Sequence, residues 1–270
     1  MIWGAVGLIG VLLDTPTTVP LRIVGLSLRK ADSAIFLLPL GASYELWARQ
    51  VCQKWQGTPY GSGGAGTGPQ ELLVNLERMD CMTATENFLA LHLTRKTSQR
   101  SAATFLGKLL QVRYQASPPC RWEDRYHYLT HAFVSWELHG WGTWLPLGEK
   151  DTRSVSYITQ HPEQYKGFRD WKELRRIETA LSRRPRYYIP TKDLHSWLSL
   201  LRNGDIIAFV ASKEGLDVSH VGIFFWEGER PTFAHASQTQ KKWVFGEDLC
   251  AYLDRRGEKV KGITVFRPFP

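Results

Sequence analysis

The sequence of 270 residues is poor in cysteine, with 4, and no two of them stand in a C-x-x-C pair. That excludes a disulfide scaffold and the usual spelling of zinc ribbons or dithiol redox centres. The opening apolar run, Met1 to Leu13, stops at Asp14 and the segment TPTTVP, whereas a helix needs about 20 apolar residues to cross a bilayer. The run has the length of a signal-peptide core but lacks a basic start and a small-x-small cleavage site. It reads either as an incomplete export segment or as a buried strand. No G-x-x-x-x-G-K-[ST] loop, internal repeat or low-complexity tract is present. Gly61-x-Gly63-x-x-Gly66 spells a dinucleotide fingerprint, but no strand precedes it and no helix with a distal acid follows in register. His127 and His131 stand four apart without the Glu of an H-E-x-x-H pair and read as structural.

What the chain does hold is aromatic and basic weight: 11 Trp, and 34 Lys+Arg against 26 Asp+Glu, for a net charge of +8. Hydrophobic content of 43% rules out disordered, collagen-like and coiled-coil classes. A chain this long buries about 70–75% of its unfolded surface, and it makes one large domain or two small ones. The positive excess fits nucleic acid or an anionic envelope polymer, and it speaks to association rather than fold. The densest basic groups, KELRR (172–176) and SRRPR (182–186), lie on or after one predicted helix. That is the pattern of a solvated face rather than a nucleic-acid groove.

Apolar spacing predicts helices over 43–56, from Thr83 to Leu93 as an amphipathic helix, and over 163–183 with Tyr165, Phe168, Trp171, Leu174, Ile177 and Leu181 on one stripe. A long glycine-rich loop occupies 57–70. From 204 the period turns to two, in GDIIAFVAS, SHVGIFFW, TFAHAS, KWVF and GITVFR. Helices first and an antiparallel meander last make an α+β protein.

Cys81 lies in ERMDCMTATENFLALHL, where Thr83-x-x-Glu86 spells a capping box and Asp80 is a second candidate cap. A helix therefore starts within a residue or two of Cys81. Unpaired N–H groups and the positive end of the dipole favour thiolate there, and the same N–H groups can receive an oxyanion. Cys52, Cys120 and Cys250 have no such neighbourhood and read as bystanders, of which at most one pair could bond. A thiolate needs a base and a group that orients it. His220 opens SHVGIFFW, with Gly222 beside it on the same face, and His235 lies in TFAHAS. A hairpin centred between Glu227 and Gly228 would set His220 directly opposite His235. The same Cys81, His220 and His235 could instead hold zinc.

GTPY (57–60), DC before a helix (80–81), GD before a strand (204–205), HVGIF (220–224) and AHAS (234–237) resemble the NlpC-type superfamily of papain-like cell-wall cysteine hydrolases. More narrowly, ELLVNLERMDCMTATEN, LLQVRYQ, DRYHYLTHAFVSW, YITQHPEQY, YYIPTKDL, GLDVSHVGIFF and GITVFRP resemble the N-acetylmuramoyl-L-alanine amidase-like family over roughly 43–268. The resemblance implies a papain-like core with N-terminal helices, the cysteine helix packed on a C-terminal antiparallel sheet, and a large insertion at about 100–200. It implies one domain over 43–270, with residues 1–42 an extension that carries no match. It implies Cys81 as nucleophile, His220 as general base and acid, His235 as orienter and Tyr60 as the active-site tyrosine, with no cofactor. Asp217 and Ser219 become candidates for substrate or supporting hydrogen bonds, and Arg125, Tyr126 and His127 for sugar or stem-peptide carboxylates. The implied reaction cuts the amide between (anhydro-)N-acetylmuramic acid and L-alanine in peptidoglycan fragments, in the periplasm or cell envelope. The rivals are a γ-D-glutamyl-diamino-acid endopeptidase and a basic envelope- or nucleic-acid-binding protein without catalysis.

Overall fold

A computed structural model describes residues 21–37, 41–61, 72–115, 122–166 and 168–270. The apolar start, the glycine-rich loop beyond Gly61 and Cys120 lie outside the described residues. The described chain divides into two units: residues up to Tyr126 with His235–Phe245, and His127–Ala234 with Gly246–Phe269. The divisions fall after Tyr126, inside the stretch expected to be an insertion, and after Ala234 and Phe245, inside strands.

The first unit is mostly helical, with α1 (Ser27–Ile35), α2 (Tyr44–Lys54), α3 (Cys81–Arg95) and α4 (Ala102–Arg113). Two short parallel strands, β1 (Leu21–Ile23) and β2 (Leu72–Val74), pair beside them. The Ser43 side chain accepts the Leu46 N–H at 3.2 Å and starts α2. Trp47 of α2 is wholly buried against Phe88 of α3, ring centroids 5.4 Å apart, and its indole donates to the Ala34 carbonyl at 2.9 Å. Closing off an indole this way keeps its apolar area in the core without an unmade hydrogen bond.

The expectation of an amphipathic α3 is corrected: the helix is buried on every side from Thr83 to Arg95. Several of its polar residues find partners inside. Thr85 and Thr94 hydroxyls donate to the carbonyls of Cys81 and Ala90, at 2.9 and 2.7 Å. Glu86, with no exposed surface, takes Arg113 Nε at 2.8 Å and Arg125 Nη2 at 2.9 Å. Periodicity reports where apolar residues stand; it does not report polar residues that find partners inside.

The second unit holds α5 (Leu129–Leu138), α6 (Tyr157–Gln160), α7 (Trp171–Arg183), α8 (Leu194–Trp197) and α9 (Leu249–Arg256). Its strands are β3 (Gly142–Leu145), β4 (Glu149–Asp151), β5 (Arg186–Pro190), β6 (Ile206–Ala211), β7 (Val218–Glu227) and β10 (Val260–Pro268), while β8 (Arg230–Ser237) and β9 (Lys242–Asp248) each have part of their length in the first unit. Helix α7 starts later than its apolar stripe, because the Asp170 carboxylate accepts the Glu173 N–H at 3.0 Å and caps it there.

The five strands expected after residue 204 are all present, but not as a simple meander. The order is β4-β5-β10-β6-β7-β8-β9, with β3 beside β10, so the last strand returns between β5 and β6. Gly262 permits that return: a Cβ there would stand 1.9 Å from the Ile189 carbonyl oxygen. Phe209, Phe224, Phe233, Ile263 and Val265 of the sheet pack with Leu249 and Leu253 of α9. At about 1.5–3 kcal/mol for each large apolar side chain, this cluster dominates the second unit. The architecture is α+β with an antiparallel sheet. Among the described residues, no helix is long and apolar enough to cross a membrane.

Candidate active site

Helix α3 begins at Cys81, with Asp80 as its cap in extended backbone, φ −90° and ψ 177°. Asp80 Oδ1 accepts the Thr83 N–H at 2.7 Å, and Thr83 Oγ1 accepts the Asp80 N–H at 3.0 Å. This reciprocal box makes Asp80 the cap and Thr83 the third helical residue, which corrects the Thr83–Glu86 spelling read from the sequence. Cys81, half-buried, is thus held as the first residue of a firmly capped helix.

The GTPY stretch runs alongside. Met79 N donates to the Pro59 carbonyl at 3.1 Å, and Gly61 N to the Met79 carbonyl at 3.2 Å. On its other edge, Gly57 N donates to Trp243 O at 3.0 Å, Trp243 N to Thr58 O at 2.7 Å, and Tyr60 N to Lys241 O at 2.8 Å. Trp243 is anchored in turn by its indole, which donates to the Cys52 carbonyl at 2.9 Å. The result is a three-part lattice in the first unit: the approach to Cys81, then Tyr60, then the turn after His235. Burial raises the Tyr60 phenol, and the negative charges of Cys81 and Asp80 raise it further. The phenol is therefore a protonated donor within the electrostatic reach of the thiol. His235, 2% exposed, lies on β8 in the same unit.

In the second unit, His220 is half-buried on β7 and pairs with Phe209 of β6. The register slips between Phe209 and Val210, which pair with His220 and Val218, so Ser219 is the extra residue of a bulge. Bulges re-aim the neighbouring side chain. The His220 ring stands 5.7 Å from Phe209 and 6.0 Å from Tyr252 of α9. Tyr252 carried no sequence signal, because α9 is a short helix of 8 residues set between two strands.

The β7–β8 register corrects one expectation. Glu227 pairs with Arg230 and Ile223 with Ala234, so the turn is Gly228–Glu229, with Gly228 at φ +63°. A turn one residue later shifts the register by two, and the direct opposition of positions 220 and 235 is not made. The glycine decides it, because a tight hairpin turn needs positive φ at its first central residue.

The structure gives other named residues packing tasks. Asp217 is 5% exposed; its carboxylate accepts from Thr130 N at 3.0 Å, Thr130 Oγ1 at 2.9 Å and its neighbour Val218 N at 2.7 Å. It thereby closes the start of α5. Burial raises the Asp217 carboxyl, against the lowering by these hydrogen bonds and by Arg186. Arg125, 5% exposed, is occupied by Glu86, and Tyr126 is 4% exposed with its N–H on the Arg113 carbonyl at 3.1 Å. The His127 ring packs on Phe168 at 5.3 Å. Ser219 is exposed. His127 precedes α5 while His131 lies within it, so the two do not share a helical face. Among the described residues, no three His, Cys, Asp or Glu side chains converge as metal ligands.

Among solved structures, an N-acetylmuramoyl-L-alanine amidase from Bacteroides uniformis is similar at 29% identity and TM-score 0.75, over 83% of this chain and 98% of that one. A candidate xylanase from Bacteroides fragilis is similar at 28% identity and TM-score 0.73, over 80% of this chain and 98% of that one. Protein LPG0564 from Legionella pneumophila, at 20% identity and TM-score 0.63 over 90% and 95%, shares the fold. No curated protein matches the chain. The family described as N-acetylmuramoyl-L-alanine amidase-like matches residues 50–263. That span runs from α2 to β10 and takes in Cys81, His220 and His235, and the chain belongs to the N-acetylmuramoyl-L-alanine amidase-like family.

Proposed function

We propose that the protein is a cysteine hydrolase of papain-like, NlpC-type architecture that cleaves the amide between (anhydro-)N-acetylmuramic acid and L-alanine of peptidoglycan fragments. Family membership supports hydrolysis of peptidoglycan material. The observation that carries the mechanism is Cys81 at the capped start of α3 with the protonated Tyr60 phenol in its field. In this reading the Cys81 thiolate attacks the lactyl carbonyl carbon. The oxyanion rests on N–H groups that the helix start directs outward. His220 passes a proton to the alanine nitrogen, the C–N bond breaks, and a thioester remains. His220 then takes a proton from water, the hydroxide adds, and the thiolate leaves. His235 fixes the ring orientation of His220. The anionic substrate suits a protein of charge +8, and we place it in the periplasm or cell envelope.

Mass spectrometry of digested anhydromuropeptides tests the reading. The expected product is free stem peptide, absent with Cys81→Ala, whose thermal unfolding stays cooperative. Cleavage after D-glutamate would replace the amidase by an endopeptidase. Full activity of Cys81→Ala, or an essential stoichiometric zinc, would overturn the thiol mechanism.

A further inference from the structure

A solvent-open cavity of about 700 Å³ lies wholly within the second unit, next to the bulge that carries His220. Ser212, Lys213, Ser219, Arg256, Glu258 and Lys259 line it. Three cations face one carboxylate, so its wall is net positive. The volume is that of a site for a small ligand. Two of the cations are placed rather than loose. Lys213 Nζ donates to the Tyr157 phenol at 2.6 Å and stands 4.4 Å over that ring. The Arg256 guanidinium lies 5.9 Å from the Tyr252 ring, which is itself 6.0 Å from His220. Arg125, the residue expected from sequence to hold carboxylates, is sealed against Glu86.

We propose that this cavity is an acidic-peptide subsite, in which Arg256 and Lys259 take free carboxylates of the stem peptide and Lys213 supplies a fixed positive wall. The identity of the peptide rests on the amidase reading above. The chemistry of the cavity does not: a guanidinium fork, two ammonium groups and two serine hydroxyls select a multiply carboxylated ligand over a neutral one. A peptide seated there would lie beside the His220 bulge, so the subsite would select substrates by their acidic tail.

The test is calorimetric binding to the full chain carrying Cys81→Ala. The probes are the tripeptide L-alanyl-γ-D-glutamyl-diaminopimelate and the same tripeptide with its carboxylates amidated. Arg256→Gln and Lys259→Gln should each weaken the free acid on the order of tenfold, and the double variant on the order of a hundredfold. The amidated probe should bind weakly and indifferently to all three. Lys172→Gln, an exposed cation on α7 away from the cavity, should change nothing. Lys259 is exposed and puts little of the fold at risk, so its single variant stays informative if Arg256→Gln unfolds. Equal binding of both probes, or undiminished binding of the acid to the variants, would overturn the subsite. Because binding is read without turnover, uncut muropeptides together with Arg256-dependent binding would sink the amidase reading alone.

Discussion

At the scale of single residues, the described cysteines divide by their surroundings. Cys52 is fully buried, and burial pushes its thiol well up despite the opposing charge of Arg49. Burial also raises Cys250, and Asp248 and Asp254 raise it further. Both stay protonated at neutral pH and are poor nucleophiles. Iodoacetamide at pH 7 is therefore expected to label Cys81 first, with native Cys52 unlabelled, by peptide mass spectrometry; preferential labelling of Cys250 would contradict this. Tyr60 differs from a core tyrosine in that it is half-exposed and lies within the electrostatic reach of the nucleophile. Tyr60→Phe is expected to lower kcat/KM on the order of a hundredfold, the scale of losing one donor to a developing oxyanion, with the melting temperature little changed. The helix-start chemistry of Cys81 was legible in DC followed by a helical pattern. The reciprocal role of Thr83 was not, because Ser or Thr three residues before Glu spells a box equally well one turn along.

At the scale of elements, α3 presents its thiol from a core that is held by charge as well as by packing. Glu86 sits between Arg113 and Arg125, and Arg113 also donates to the Leu73 carbonyl at 2.8 Å. Removing the shared acid leaves two guanidinium groups buried without compensation. Glu86→Ala is expected to cost about 3–5 kcal/mol by denaturant unfolding, against about 1–2 kcal/mol for Asp80→Ala, which removes one cap. A Glu86 variant no weaker than the Asp80 variant would mean that the network is not what secures α3. Strands β6, β7, β8 and β10 were readable because short β-branched and aromatic runs bounded by turn residues have few other readings. Strands β3, β4 and β5 were not, since they are short and carry Trp, Arg and Asp; β3 and β5 pair with β10, more than seventy residues away, and β4 pairs with β5.

At the scale of the whole molecule, acid stability and charge are the measurable consequences. Burial lowers His131 from its usual value to about 4, while the unfolded chain titrates near 6.5. Above about pH 6.5 the ring is neutral in both states and its contribution is complete. As pH falls from there toward 4, the unfolded state takes up the proton first and folding loses stability; below 4 the loss is finished. Asp217, whose carboxyl is raised, runs the other way at the acid end of that window, because its folded form binds the proton first. Denaturant midpoints between pH 7 and 5 should therefore fall, and His131→Gln should flatten that slope. The charge of +8 should make KM for anionic peptidoglycan fragments rise with salt, through screening beyond roughly 10 Å at 0.1 M. A KM insensitive to salt would deny the basic surface a part in substrate capture.

The sequence by itself determined the α+β class, the helix start at Cys81 and the run of strands that carries His220 and His235, because local periodicity and capping chemistry act within a few residues. Only the tertiary structure decided which buried groups meet. Glu86 reaches Arg113 and Arg125 across 27 and 39 residues, and Asp217 reaches Thr130 across 87. A pattern of apolar positions specifies which face is buried, whereas the partner of a buried charge depends on which distant segment packs there. The same reason set Arg125 against Glu86 and placed Arg256 and Lys259 at the rim of an open cavity.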